Sequence, residues 1–305
     1  MDEMIKIPVL MRDLVTPLID EQISYEDNND PFCDGEKNNY FGPSLRWLLA
    51  TVLHSLNLSS TDEIAILTTN IEQYIPICVS VTIFNYGTIS RVVTEKTKVV
   101  IVIHDNGYSF PDIAKKVETW KERGIHVIED CATVIGLDIN NKKIGSFADY
   151  SLFSLPKIFP TSSGGLLRTT KNISLSLLSE SLLYQKNKGI FAARKYLTKF
   201  KYFNKARITR VNILKEKALD FLLEPSKLSI PYRVGFLTTK KEVIERNFSL
   251  VDWGTTLHSD LLYIPINPLV EKKYFKELIS VIYPSLRTRK DRKSLTLRYF
   301  KMVRE

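Results

Sequence analysis

The sequence predicts an α/β protein, with a three-layer, mostly parallel sheet in a large first domain and a smaller α+β domain after it. Three observations carry this. Residues 99–103 read VVIVI, an almost pure β-branched run of the kind found in strands buried on both faces of a parallel sheet. That run, a helical stretch after Pro111 and the run Ile125-His126-Val127-Ile128 form a strand–helix–strand unit, which demands a crossover and a parallel pairing. After Thr170 the pattern changes to leucine- and lysine-rich helical spacing. The expected division is therefore 1–185 for the large domain and 186–305 for the smaller one.

In chain order, residues 28–39 are rich in polar and turn residues and read as a loop. Phe41-Gly42-Pro43-Ser44 opens a helix to about residue 56, with Leu45, Leu48, Leu49, Val52 and Leu53 on one face at helical spacing. Proline suits a first helical turn, where its missing N–H has no partner to lose. Residues 63–67 (EIAIL) read as a strand, and 72–84 as a helix. In the helix after Pro111, Ile113, Val117 and Trp120 share a side and Gly124 ends it. A polar, hairpin-like stretch precedes a second apolar run at 150–155, and Lys157 then sits in a loop closed by Gly164-Gly165. Farther on, 171–222 are mainly helical, Pro225 and Pro231 interrupt, 233–237 and 261–264 read as strands, and 272–282 as a last helix.

Composition bounds the function. With 44% hydrophobic and 25% charged residues the chain is an ordinary globular protein long enough for a large core. No apolar run reaches the roughly 18 residues of a membrane span. The first residues, MDEMIKIPVLMRD, do not read as a secretion signal, and Cys33, Cys78 and Cys131 show no metal spacing. A cytoplasmic protein with free thiols and no metal centre is expected. The net charge of +9 is concentrated near the C-terminus, and a solvated basic helix explains it more simply than nucleic acid or membrane binding.

The chemistry concentrates in residues 125–166. Glu129 and Asp130 follow one strand at once, and Lys157 lies just past another. Ligands of open parallel sheets bind at the carboxyl ends of the strands. An acid and an amine meeting there suit a cofactor with one basic nitrogen and one aldehyde, which is pyridoxal 5'-phosphate. Lysine is the side chain that supplies the amine an aldehyde needs. A carboxylate facing the pyridine nitrogen keeps it protonated, which is the role read for Asp130. Strand alternation turns Glu129 away from Asp130, so Glu129 is read as structural.

The pieces Ile128-Glu129-Asp130-Cys131-Ala132, Gly145-Ser146-Phe147-Ala148-Asp149, Ser154, Lys157 and Gly164-Gly165 follow one another within about forty residues. In this order they resemble the DegT/DnrJ/EryC1/StrS sugar aminotransferases, pyridoxal-phosphate enzymes of fold type I. The resemblance is good over roughly 38–170 and faint beyond. It implies that Lys157 is the catalytic, cofactor-holding lysine and Asp130 the partner of the pyridine nitrogen. It implies that Gly42, Pro43, Ser44 and Ser154 cradle the cofactor phosphate, a task that suits a helix N-terminus. Thr133 stands where many members place Gln or His beside the cofactor. Asn70 or Tyr74 are the residues nearest to the family's ring-stacking position, His104 matches a structural turn histidine, and Asn267 replaces a family histidine.

A side branch of that family carries histidine at the lysine position and removes a hydroxyl, so Lys157 implies transamination. The substrates implied are a keto-sugar, nucleotide-linked, and glutamate as amino donor, in surface polysaccharide or deoxyamino-sugar synthesis. Members are homodimers, and no nucleic-acid partner is implied. Two other readings stand beside this one. The fold can be kept by a divergent, catalytically silent protein that binds a sugar nucleotide or serves as a partner subunit. The basic tail at 286–305 can also act as a binding module for anionic surfaces.

Overall fold

The computed structural model of this chain describes residues 5–7, 38–69, 75–196, 200–216, 229–237, 248–250, 261–266, 275–276 and 279–280. These group into two compact units, one drawn from residues 10–201 and the other from 1–9 and 202–305.

The elements run β1 (Ile5–Ile7), β2 (Asn38–Gly42), α1 (Leu45–Ser55), β3 (Glu63–Thr68), α2 (Ile77–Ile83), β4 (Thr88–Ser90), β5 (Thr97–Ile103), α3 (Ile113–Glu122) and β6 (His126–Asp130). They continue with β7 (Asp138–Ile139), β8 (Lys142–Lys143), β9 (Tyr150–Ser154), α4 (Leu155–Ile158), β10 (Gly165–Thr169), α5 (Glu180–Tyr196), α6 (Phe200–Glu216), β11 (Arg233–Leu237), β12 (Phe248–Leu250) and β13 (Leu261–Pro265).

The larger unit is built on a seven-stranded sheet in the order β2-β10-β9-β6-β5-β3-β4. β10 is antiparallel to both its neighbours, and the remaining pairs are parallel. One face of the sheet carries Ile64, Ile66, Val99, Ile101, Ile103, Ile128, Leu152 and Leu167, packed with Leu48, Leu49, Val52 and Leu53 of α1 and Val79 and Ile83 of α2. The alternate residues Val100, Val102 and Val127 point to the opposite face, and α3 packs beside β6 with Ile113, Val117 and Trp120 buried. Helix, sheet and helix make the three layers expected. Truncating one of these side chains to alanine costs about 2–5 kcal/mol.

The expected strands at 63–67 and 99–103 and the expected helices at 41–56 and after Pro111 are present within a few residues. Four details differ. β6 extends to Asp130, so both carboxylates lie within the strand. Lys157 stands in a helical turn, α4, rather than in a loop. Asn38 and Asn39 belong to β2, and β4 and β10 were not expected at all. Asparagine is a poor strand former, and these short segments owe their extension to pairing with neighbours distant in sequence. The helix expected over 72–84 is observed from Ile77, after Pro76; residues 72–74, like residues 28–37 of the expected loop, lie outside the described residues.

The smaller unit contains the antiparallel pair β11–β13, the parallel pair β1–β12, and α6. The strands expected at 233–237 and 261–264 are thus present. Of the helix expected at 272–282, residues 275–276 and 279–280 are described and helical. The Arg207 guanidinium lies 5.8 Å from the Tyr232 ring centroid, and that of Arg210 5.8 Å from the ring centroid of Phe275. Burial lowers the pKa of Arg207 to about 10.

Candidate active site

The parallel strands present their carboxyl ends at one edge of the sheet. Gly42 ends β2, Ser154 ends β9 and Asp130 ends β6. Gly165, the first residue of the antiparallel β10, pairs with both Gly42 and Ser154, so these three form one row across the sheet. Strand alternation also gives them a common face. Asp130 shares parity with Ile128, Ser154 with Leu152, and Gly165 with Leu167, and all three of those partners pack against α1. Asp130, Ser154, Gly165 and the start of α1 therefore meet on one side of one edge.

The start of α1 is tightly built. Ser44 is its N-cap in extended conformation, and its hydroxyl accepts a hydrogen bond from the Trp47 N–H at 3.2 Å. The carbonyl of Pro43 accepts the Gly164 N–H at 2.9 Å. A Cβ on Gly165 would lie 2.6 Å from the Leu45 nitrogen, so only glycine lets β10 pass this close to the helix start. Gly164 adopts φ +106° and packs against Gly189 of α5, where a Cβ would come within 2.5 Å of the Gly189 Cα. The double glycine is thus a wedge fitted between α1 and α5.

Lys157 is half-buried in α4, whose turn starts directly from Ser154. Asp130 is buried, and its Oδ1 accepts the Ala132 N–H at 2.9 Å. Burial raises the pKa of Asp130; the positive charge of Lys157 and the bond from Ala132 pull it back without cancelling the rise. Lys157 and Asp130 therefore act on each other electrostatically across the site.

Glu129 faces the other way and is fully buried. Its Oε1 accepts the Gly145 N–H at 3.0 Å and lies 3.2 Å from His104 Nε2, while its Oε2 accepts the Phe147 and Ala148 N–H groups at 3.0 and 2.9 Å. Burial pushes its pKa up, but the hydrogen bond from His104 and the backbone donors outweigh it and leave the pKa lowered. His104 Nδ1 accepts the Phe110 N–H at 3.0 Å, which puts the ring proton on Nε2, pointed at Glu129. Ligand atoms of His104, Glu129 and Cys131 lie within 4.8 Å of one another. Hydrogen bonds already use both Glu129 oxygens and both ring nitrogens of His104, so this cluster reads as a hydrogen-bonded hub.

Thr133 is buried beside the same hub. Its hydroxyl donates to the His104 carbonyl at 2.9 Å and accepts the Gly107 N–H at 3.0 Å. Its proton is thus committed to the backbone. The structure brings together Asp130, Lys157, Ser154, Gly42, Pro43 and Ser44 at one edge, with Thr133 three residues beyond Asp130. Asn70, Tyr74 and Asn267 lie outside the described residues. Sequence reasoning did not find the part played by Gly189, because its contact with Gly164 joins residues far apart in the chain.

The helix N-terminus with its N-cap serine, the lysine and the buried carboxylate form a set that fits pyridoxal 5'-phosphate. The layered α/β fold is that of the fold type I pyridoxal-phosphate transferases. The sequence profile of the DegT/DnrJ/EryC1/StrS aminotransferase family matches residues 51–208, and the chain belongs to that family.

The chain is 34% identical to GDP-perosamine synthase of Vibrio cholerae over 110 residues, which is 35% of this chain and 29% of that protein. It is 37% identical to UDP-N-acetyl-3-dehydro-alpha-D-glucosamine 3-aminotransferase of Acidithiobacillus ferrooxidans over 78 residues, 25% of this chain and 20% of that protein. The matched stretch is thus less than a third of either relative's length. Among solved structures, Helicobacter pylori PseC, an aminotransferase involved in the biosynthesis of pseudoaminic acid, superposes with a TM-score of 0.62 at 14% identity, over 82% of this chain and 87% of that one. At that identity the likeness speaks for the fold.

Proposed function

We propose that the protein is a pyridoxal-phosphate-dependent aminotransferase that moves an amino group from glutamate to a nucleotide-linked keto-sugar. The observation that carries this reading is the meeting of Asp130, Ser154 and the α1 N-terminus on one face of one sheet edge, with Lys157 in the turn that leaves Ser154. When bound, pyridoxal phosphate supplies an aldehyde that carries the amino group and a ring that accepts the electron pair left when a Cα–H bond breaks.

The residues divide the work. Lys157 Nζ would hold the cofactor. Its amine would also be the base that moves the proton at the donor's Cα. Asp130, as a carboxylate, keeps the pyridine nitrogen protonated, and Lys157 offsets part of the burial that opposes its ionisation. Ser44 and Ser154 bind the phosphate with the N-terminus of α1, whose dipole favours an anion. Gly42 and Pro43 shape that cradle, with Pro43 offering a carbonyl to Gly164 and no N–H. Thr133 fixes the loop beyond Asp130 rather than donating its proton to the cofactor.

The similarity to GDP- and UDP-sugar enzymes supports a nucleotide-linked substrate, in surface polysaccharide or deoxyamino-sugar synthesis. A cytoplasmic homodimer completes the proposal. Among the described residues no helix is long and apolar enough to cross a membrane.

The test is the visible spectrum of the protein purified with pyridoxal phosphate, before and after glutamate, beside Lys157→Ala. A band that glutamate bleaches, and that the variant does not form, is the expected result. A colourless protein would overturn the proposal. It would favour a silent, sugar-nucleotide-binding or partner subunit, the reading to which Pro43 and the committed hydroxyl of Thr133 already lean.

A further inference from the structure

Asp130 is the residue on which the proposed chemistry turns, yet the hydrogen bonds that hold its strand end run through its neighbours. Glu129 receives four donors, which fills its acceptor capacity. Three are backbone N–H groups of the segment from Gly145 to Ala148, and the fourth is His104 Nε2–H. The main chain of His104 then grips the other side of the site. Its N–H donates to the Asp130 carbonyl at 3.0 Å, and its carbonyl accepts from Thr133. Phe110 N–H holds the imidazole from behind, and Gly107 N–H closes on Thr133. One buried pair thus ties three segments to the end of β6: residues 104–110, 130–133 and 145–148.

We propose that Glu129 and His104 form a positioning dyad for Asp130, fixing where its carboxylate stands relative to the cofactor nitrogen and keeping water from it. The proposal rests on the cofactor reading above and adds two residues to it. Glu129 and His104 touch neither substrate nor cofactor in this scheme; they act through Asp130 and Thr133. The arrangement also explains the charge. A buried carboxylate is tolerated only when fully hydrogen-bonded, and Glu129 meets that condition where Asp130 does not.

The test uses Glu129→Gln, His104→Phe and His104→Gln in the full chain. Glutamine at 129 keeps the shape but turns an NH2 group toward backbone N–H donors. Phenylalanine at 104 removes the ring donor; glutamine at 104 restores an N–H near the place of Nε2. Two readouts are taken on folded protein: the dissociation constant of pyridoxal phosphate, and the titration of the Asp130 carboxyl in cofactor-free protein by carbon NMR.

The charged groups acting on Asp130 are Lys157 of α4 and, beyond β5, Asp105, while the main chain of the neutral His104 binds its carbonyl. Loosening the dyad admits water and weakens the effect of burial. The Asp130 titration is therefore expected to fall toward the ordinary carboxylate range in Glu129→Gln and His104→Phe, and cofactor binding to weaken at least about tenfold. His104→Gln is expected to recover most of both. Variants that melt earlier but keep wild-type cofactor affinity and Asp130 titration would overturn the proposal, since a purely structural role predicts that pattern. Should Glu129→Gln fail to fold, the two His104 variants decide. Failure of the wild type to take up cofactor removes the cofactor reading alone, and the Asp130 titration still decides the dyad.

Discussion

Glu129 and Asp130 are adjacent carboxylates on one strand, both buried, and they differ in nearly every physical respect. Glu129 faces away from α1 and is met by four donors; its pKa is lowered despite burial. Asp130 faces the α1 side, accepts one backbone N–H and feels Lys157 across the site; its pKa is raised. One carboxylate belongs to the architecture and the other is left with capacity to spare. Sites of chemistry are commonly those where a group's electrostatic needs are not met by the fold itself.

The contrast is broken most severely at Glu129. Glu129→Ala leaves three backbone N–H groups and the His104 Nε2–H without their acceptor in a dry environment. A loss of about 3–5 kcal/mol of unfolding free energy is expected, measured by denaturant titration. The effect should depend on pH. A carboxyl whose folded pKa is lowered contributes stability that is present above its unfolded pKa and lost as pH falls through the folded one. Wild type and variant should therefore converge in acid.

Asp130→Asn sharpens the comparison by reversing the sign. A folded pKa raised above the unfolded value gives stability that is lost as pH rises through that window. The neutral amide removes this loss, so relative to wild type the cofactor-free variant should gain stability as pH rises from acid through that window and keep the gain above it. Its affinity for pyridoxal phosphate should fall at the same time, which a spectral titration would show. A variant both less stable and unaltered in binding would mean that Asp130 is a structural residue like its neighbour.

The smallest expected effect lies at the helix that shares the Asp130 face. Ser44→Ala removes the N-cap of α1 and should cost about 1 kcal/mol in stability. It should also weaken phosphate binding, detectable as a higher dissociation constant for inorganic phosphate than in wild type.

Several elements could be read directly from the sequence for local reasons. β5 is a β-branched run, and α1 and α3 carry apolar residues at helical spacing behind proline. Lys157 and Asp130 stood out because an amine and an acid at strand ends imply a particular chemistry. β2, β4 and β10 could not be read this way. Asn38 and Asn39 disfavour strands, and Gly165 gives no propensity signal; their conformation comes from ladders to partners more than a hundred residues away or across a crossover. The position of Lys157 in a helical turn was missed because four residues with a proline carry too little periodicity to show it.

By itself the sequence determined the class of fold, the alternation that parts Glu129 from Asp130, and the residue types from which a site could be made. Those follow from local sterics and from the period of a strand or a helix. Only the tertiary structure decided which groups meet. It set Gly42, Gly165 and Ser154 in one row, placed the start of α1 on the Asp130 face, and drew His104 and the 145–148 segment onto Glu129. Such contacts depend on the register between strands and on loop closure, quantities that no single stretch of sequence contains.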